Sequence, residues 1–324
     1  MGRVFRQPRT RSERGGLTMG RDLLDVGRRI IRRGLGRVEL ILHFAGAEER
    51  VETDRDGYFH ATLRPADPPP ADREWHEVDL ALDWKGHSIS ETGTVFIPAE
   101  SARFVVISDI DDTVMHTGVA NTFEMLYRLF VQGAESRTAF PGVAALYRAL
   151  HDGPTGNEMN PMLYVSRGPW SIYEMLDRFF NLHRIPVGPI LFLREWGITL
   201  KRPLPRRATD HKIEIVREMV ERYDHLPFIL IGDSGQHDPE IYSRVVHEFP
   251  GRVLAVYIRD VSGRASREGE IRALADEVER AGSSLVLTDD TFAMAEHAAS
   301  HGFLSGGCLE EVLAERTEEA SRPL

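Results

Sequence analysis

Three acidic residues follow a short apolar run about a third of the way along the chain, and their spacing could support metal-dependent chemistry. Phe104 to Ser108 reads FVVIS, and the segment DIDDT from Asp109 to Thr113 comes directly after it. The apolar run predicts a strand that is buried on both faces. Carboxylates a few ångströms apart repel each other unless a proton or a cation neutralises them. The cluster therefore predicts a site for a hard divalent ion such as Mg²⁺ at the carboxyl end of this strand.

Other polar residues follow later predicted strands or begin a predicted helix; they are Ser166, Arg167, Lys212, Asp233 and Asp238. Each has an ordinary explanation when it is taken alone. A serine after a strand is a common helix cap, an acidic cluster can be a solvated turn, and a lysine at a helix start can extend into solvent. A cation at a helix start also opposes the helix dipole, so Lys212 would need an anionic partner. Because the carboxyl ends of parallel strands meet at one edge of a sheet, we expect these residues to converge.

Four motifs occur in a fixed order along the chain: DIDDT from 109, SRGPW from 166, DHK from 210 and GDSGQHDPEIY from 232. Over about residues 104–260 they resemble the motifs of the haloacid dehalogenase (HAD) superfamily. More narrowly, they resemble the catalytic domain of the actin-patch-type phosphatidate phosphatases, in the form found in bacterial chains. The fourth motif is the most specific of the set, because it is much longer than the general HAD motif.

The resemblance implies a Mg²⁺-dependent phosphatase that hydrolyses a phosphate monoester through an aspartyl-phosphate, with phosphatidate as substrate and diacylglycerol as product. It makes Asp109 the nucleophile and Asp111 the general acid and base, with Thr113 fixing the loop. Ser166, Arg167 and Lys212 are the implied substrate-binding residues. The implied metal ligands are Asp109, Asp111, Asp233 and Asp238.

The expected fold class is α/β: an HAD-like Rossmannoid parallel sheet without a large cap, preceded by a small β-sandwich domain. The sandwich follows from short strands separated by turns at intervals of roughly ten residues. The segment between Thr113 and Phe140 is too short for a lid domain. The expected domains are a basic flexible arm with an amphipathic helix (1–37), the β-sandwich (38–98), the catalytic domain (99–305) and a C-terminal tail (306–324). Within the tail, Glu315 to Leu324 is expected to be frayed.

Composition limits the class of protein. The 324 residues carry a net charge of -10, and Cys308 is the single cysteine, so an intramolecular disulfide or a cysteine metal cluster is excluded. One cysteine suits a reducing compartment, and we expect a cytoplasmic protein. An acidic body without an array of basic and aromatic residues argues against nucleic-acid binding.

Basic residues concentrate at the N-terminus, where residues 1–37 contain eleven arginines and three acids. Residues 1–18 are expected to lack regular structure. Gly20 to Leu35 is predicted to form a basic amphipathic helix, which could lie on an anionic membrane or on the acidic body of the protein. The expected location is therefore cytoplasmic, with peripheral attachment at the inner membrane face, and the expected partner is a phospholipid at that surface.

Two alternatives to a lipid phosphatase stay open at this point. An open HAD site would also accept the phosphate of a protein, a sugar or a nucleic acid. A protein of another class, a non-catalytic scaffold, would use the β-domain and the basic arm as its working surfaces. The residues do not separate the possible phosphatase substrates, whereas the presence of all the motif residues argues against the scaffold. The oligomeric state stays open.

Overall fold

A computed structural model describes residues 2–5, 34–111, 113–114, 139–168, 170–192 and 208–321. The chain divides into two compact units, Met1–Glu100 and Ser101–Leu324. Most of the predicted basic helix between Gly20 and Leu35 lies outside the described residues, as does the segment after Thr113 that bears on the prediction of a missing cap.

The first unit contains two antiparallel sheets. A four-stranded sheet has the order β3-β2-β5-β6, and a two-stranded sheet joins β1 to β4. Leu40 and Leu42 on β2 and Val78 on β5 alternate along their strands and form the buried core of the larger sheet. The predicted sandwich packing of the unit stays a prediction. The strands are β1 (Gly2–Arg3), β2 (Glu39–Phe44), β3 (Ala47–Glu52), β4 (Tyr58–Phe59), β5 (Trp75–Trp84) and β6 (His87–Phe96).

The start of the chain differs from its prediction. Residues 1–18 were expected to lack regular structure, but β1 pairs with β4. The guanidinium of Arg3 lies 4.5 Å from the ring centre of Tyr58 and 4.8 Å from that of Phe5. Backbone pairing and these cation–π contacts hold residues that have too few apolar neighbours to predict a strand.

The second unit is built on a six-stranded sheet in which every neighbouring pair is parallel, with the order β12-β11-β10-β7-β8-β9. Strand order therefore reverses between β7 and β10, which are neighbours although they are far apart in sequence. In open α/β sheets such a switch point opens a crevice at the carboxyl ends of the strands. The strands are β7 (Val105–Asp109), β8 (Met162–Ser166), β9 (Ile190–Phe192), β10 (Phe228–Asp233), β11 (Val253–Arg259) and β12 (Ser284–Thr288).

Helices cover both faces of this sheet, as the apolar character of its strands requires. The helices are α1 (Val143–Asp152), α2 (Tyr173–Leu182), α3 (Ala208–Arg222), α4 (Asp238–Glu248), α5 (Ala265–Arg280), α6 (Thr291–Ser300) and α7 (Cys308–Ser321). One core contains Val106 of β7 and residues of α1, α2, α6 and α7. The other contains Val105 and Ile107 and residues of α3, α4 and α5. The predicted α/β class with a parallel sheet is confirmed.

Fraying was predicted from Glu315 onward, whereas α7 continues to Ser321 and packs on α1. Arg148 of α1 lies 2.6 Å from a carboxylate oxygen of Glu315 and 2.7 Å from one of Glu311. The Glu315 carboxylate also accepts a hydrogen bond from the backbone N–H of Ala145. Val312 is buried in the core on the same side of the sheet. Spaced apolar residues and paired acids therefore order a segment whose sequence is mainly polar.

None of the described helices combines the length and the apolar character that crossing a membrane needs.

Candidate active site

Alternation along β7 directs Asp109 toward the helices that carry its partners. Val105 and Ile107 pack in the core with α3, α4 and α5, and Asp109 continues that series at the end of the strand. Ser108 faces the other side, where its hydroxyl lies 2.6 Å from the Tyr147 hydroxyl. The site is therefore on the face of the sheet that α3 and α4 cover.

Lys212 approaches Asp109 from α3 and is only 2% exposed. Its Nζ lies 3.1 Å from Asp109 Oδ1 and 2.6 Å from Asp238 Oδ1. The prediction that Lys212 opens its helix is wrong, because α3 begins at Ala208 and places the lysine in the second turn. Its anionic partners are the two buried aspartates, which explains how a lysine can be stable there.

Asp238 is the first residue of α4 and joins the loop after β10 to the lysine. Its Oδ2 accepts a hydrogen bond from the backbone N–H of Asp233 at 3.2 Å. Gly232 precedes Asp233, and a Cβ at that position would lie 2.3 Å from Asp238 Oδ2. Glycine is needed here because any side chain would push the carboxylate away from the strand end.

The oxygen atoms at this edge fit a hard divalent cation. Carboxylate oxygens of Asp109, Asp233 and Asp238 lie within 4.8 Å of one another, and all three residues are buried. The backbone carbonyl of Asp111 faces the same region, since the Gln236 side-chain amide lies 3.4 Å from it and 3.3 Å from Asp109 Oδ2. Carboxylate and carbonyl oxygens are the ligands that Mg²⁺ and Ca²⁺ prefer. Asp238 uses both of its oxygens in protein contacts, so it suits a supporting position better than direct ligation.

The electrostatics of the cluster also favour an added positive charge. Burial raises the pKa of Asp109 well above its usual range, Lys212 lowers it, and the carboxylates of Asp238, Asp111 and Asp233 raise it. Burial alone would lower the pKa of Lys212, but Asp109 and Asp238 raise it above its ordinary value. The lysine therefore stays charged, and one cation faces several carboxylates. A divalent ion would favour the ionised form of Asp109.

The other predicted site residues lie at the same edge of the sheet. Asp111 and Thr113 are buried in the turn after β7. Ser166 ends β8, the strand beside β7, and its Oγ accepts a hydrogen bond from Gly168 N–H at 3.0 Å. Arg167 is half-buried, and within the described part of the chain its Nε has no hydrogen-bond partner. Direct contacts thus join Asp109 and Lys212 to the residues after β10, whereas Ser166 and Arg167 flank them at the end of β8.

Sequence reasoning missed two residues of this site. Gln236 lies inside the fourth motif, and its position between two conspicuous acids was the available signal. Arg267 of α5 donates hydrogen bonds to the backbone carbonyls of Ser234 at 3.0 Å and Gln236 at 2.8 Å. It also pairs with Glu240 of α4. Nothing in the sequence indicates this role for Arg267, since it depends on how α5 packs beside the loop.

Comparisons with known proteins relate the residues of this site to one family. Residues 104–260 match the family described as "Phosphatidate phosphatase APP1, catalytic domain". Phosphatidate phosphatase APP1 of Saccharomyces cerevisiae is 33% identical over 198 residues, which cover 59% of this chain and 32% of the yeast protein. An uncharacterized protein of Schizosaccharomyces pombe, C29B5.04c, is 28% identical over 160 residues, covering 48% of this chain and 25% of that protein.

The chain thus spans about a third of the yeast relative and a quarter of the fission-yeast one. Among solved structures, the beta-D-glucuronidase of Dictyoglomus thermophilum aligns at 13% identity over 85% of this chain and 42% of that chain, with a TM-score of 0.20. A score this low carries no argument about fold. The matched residues include all of the motif residues that converge at the end of β7 and β10. Residues 104–260, just under half of the chain, thus match the family of phosphatidate phosphatase APP1 catalytic domains.

Proposed function

We propose that this protein is a Mg²⁺-dependent phosphoric monoester hydrolase with an HAD-like catalytic domain, and that phosphatidate is its substrate. The observation that carries the proposal is the buried Lys212, whose ammonium touches Asp109 and Asp238 beside Asp233 at the switch point. Such a charged group at a ligand-binding crevice suits the transfer of a phosphoryl group. The name of the yeast relative supplies the substrate.

In the first step, a carboxylate oxygen of Asp109 attacks phosphorus and the ester P–O bond breaks. Asp111 gives its proton to the leaving alkoxide, which departs as an alcohol. In the second step, the Asp111 carboxylate takes a proton from water, the water oxygen attacks phosphorus, and the P–O bond to Asp109 breaks. Inorganic phosphate leaves and both aspartates return to their starting states. Dividing the reaction in this way replaces one difficult step by two easier ones.

The remaining residues would hold charge as it develops. Lys212 and Ser166 would bind phosphoryl oxygens, together with Arg167. Mg²⁺ would be held by Asp109, the carbonyl of Asp111 and Asp233, with Asp238 in support. When bound, it offsets the repulsion between the attacking carboxylate and the phosphate.

The test is phosphate release by the purified full chain from phosphatidate in mixed micelles and from p-nitrophenyl phosphate, with Mg²⁺ and with EDTA. The proposal predicts release that EDTA abolishes and that strongly favours the lipid. Release from the small ester alone would retain the reaction but overturn phosphatidate as substrate, leaving the phosphate of a protein, a sugar or a nucleic acid. No release from either compound would favour the scaffold alternative.

We also propose that the protein meets its substrate at a membrane surface from the cytoplasmic side. Phosphatidate is a bilayer lipid with an anionic headgroup, and residues 1–37 carry eleven arginines. Sedimentation with liposomes at low salt tests this part separately. We expect the full chain to sediment with anionic liposomes and to be released by salt. Failure to sediment at low salt would contradict the proposed attachment to membranes.

A further inference from the structure

The side chain of Gln236 lies among the oxygen atoms that would hold the cation. Its Nε2 amide group donates to Asp109 Oδ2 at 3.3 Å and to the backbone carbonyl of Asp111 at 3.4 Å. Both acceptors belong to the predicted ligand set of Mg²⁺. An amide N–H₂ group offers only protons and cannot be a metal ligand. With Nε2 directed at these oxygens, the carboxamide would compete with a cation that they bind.

We propose that Gln236 is a positioning residue for the metal, whose carboxamide changes from hydrogen-bond donor to oxygen acceptor when the cation binds. The inference rests on the metal dependence in the proposed function. Without the cation, Nε2 neutralises part of the charge on Asp109. With the cation, a half-turn of the carboxamide directs Oε1 toward the ion or toward a water molecule on it.

The surroundings of Gln236 favour a turn of the side chain over withdrawal of the loop. Its backbone N–H donates to Asp233 Oδ1 at 2.9 Å, and its backbone carbonyl accepts from Arg267 at 2.8 Å. The backbone is therefore held on both sides. The side-chain Oε1 is buried and has no hydrogen-bond partner among the described residues. A buried acceptor without a partner is costly, and a bound cation would supply one.

A simpler possibility predicts the opposite effect on binding. If Gln236 only blocks the site, its removal would eliminate a competitor and Mg²⁺ would bind more tightly. If Oε1 supports the cation, its removal weakens binding. The sign of the change in Mg²⁺ affinity therefore separates a blocking residue from a positioning residue.

The experiment measures Mg²⁺ binding to the full chain by isothermal titration calorimetry, independently of activity. Gln236→Leu keeps the approximate size of the side chain but removes both polar atoms, and we expect it to weaken Mg²⁺ binding by about tenfold. Gln236→Glu restores oxygen atoms, so it should bind Mg²⁺ at least as tightly as the wild type. In the absence of Mg²⁺, the Gln236→Glu variant should have a lower melting temperature than the wild type. The substitution adds a carboxylate to the acidic cluster and removes the amide group that donates to Asp109. His237→Ala alters the exposed neighbouring side chain and is the matched control.

A second readout follows the carboxamide itself. In protein with isotope-labelled glutamine, the side-chain amide signal that disappears in Gln236→Glu is assigned to Gln236, and we expect it to shift when Mg²⁺ is added. If the Gln236→Leu variant binds Mg²⁺ as tightly as the wild type or more tightly, the inference is overturned. It is also overturned if the Gln236 amide signal does not shift in Mg²⁺-loaded protein. Wild-type protein that binds no Mg²⁺ would overturn the metal dependence itself. Mg²⁺ binding without phosphate release would instead contradict the proposed activity and leave the role of Gln236 standing.

Discussion

Residue types and spacing predicted which side chains would converge, because the carboxyl ends of parallel strands lie at the same edge of the sheet. Asp109 and Asp233 end neighbouring strands, as the pattern of apolar runs followed by acids indicates. The partners of Lys212 were harder to predict. A lysine in DHK could have faced solvent or a phosphate, and only the packing of α3 shows that Asp109 and Asp238 neutralise it.

Replacing Lys212 should affect both folding and turnover. The Lys212→Met variant lacks the ammonium group but keeps the buried carboxylates of Asp109 and Asp238. We therefore expect its free energy of unfolding, measured without Mg²⁺ at neutral pH, to be about 3 kcal/mol lower than that of the wild type. Loss of a charge from the phosphoryl site should also reduce kcat by roughly 10²-fold or more. Denaturant unfolding and steady-state assays measure the two effects.

Lys85→Met is the control for this substitution, because Lys85 lies in the exposed turn between β5 and β6. Added Mg²⁺ should recover part of the stability of Lys212→Met, since it supplies positive charge to the same aspartates. Equal stabilities of the two variants without Mg²⁺ would contradict this reading of the buried charge cluster.

At the scale of elements, the apolar run from Phe104 to Ser108 located β7 to within one residue at each end, whereas two other elements escaped prediction. The strand β3 reads AEERVE, without the apolar alternation that predicts a half-buried strand. It forms because Ala45 and Gly46, both with positive φ, return the chain along β2. The helix α4 was also missed, although Pro239 in its first turn and its apolar residues fit a helix start.

The loop between β10 and α4 should depend on Arg267, which reaches it from α5. The guanidinium holds two backbone carbonyls of the loop, and the hydrogen bond with Glu240 raises the pKa of Arg267, so its charge is permanent. In Arg267→Met we expect weaker Mg²⁺ binding and about a tenfold or greater loss of kcat. Calorimetry and turnover assays measure these changes.

Arg272 offers a matched control on the same helix. It is exposed and pairs with Glu268 one turn away, an interaction that contributes little to stability. Arg272→Met should therefore leave Mg²⁺ affinity and turnover near wild-type values. If Arg272→Met lost as much Mg²⁺ affinity and turnover as Arg267→Met, α5 would act through general stability. The hydrogen bonds from Arg267 to the loop would then not explain the effect.

At the scale of the whole molecule, the chain divides into two compact units between Glu100 and Ser101. The residues that match the family, 104–260, all lie within the second unit. The ordered tail helix could not be predicted, because its acids gain partners only when α1 is in place.

The first unit should become less stable as the pH rises through neutrality. Burial raises the pKa of Glu74 to about 7 from an ordinary value of 4.5, and the side chain is 8% exposed. The folded state therefore holds the proton more tightly than the unfolded state. Its stabilising effect is complete below the ordinary pKa and is lost as the pH rises through about 7, with a total change of about 3 kcal/mol.

Hydrogen exchange of the amides in β5 and β6, corrected for the intrinsic effect of pH on exchange, measures this change. Glu74→Gln cannot ionise, so its protection should stay nearly level between about pH 5 and pH 8 while that of the wild type falls. An equal fall in both proteins would assign the pH dependence to another group.

The most direct test of the proposed aspartyl-phosphate mechanism is to trap the phosphoryl group on Asp109. Full-length protein with Mg²⁺ is mixed with radiolabelled phosphatidate in micelles and quenched in acid during turnover, and the labelled peptide is identified. We predict label on the peptide containing Asp109, its release by hydroxylamine as expected of an acyl phosphate, and neither label nor turnover in Asp109→Asn. Mg²⁺-dependent phosphate release without a labelled intermediate, together with wild-type turnover in Asp109→Asn, would contradict the account.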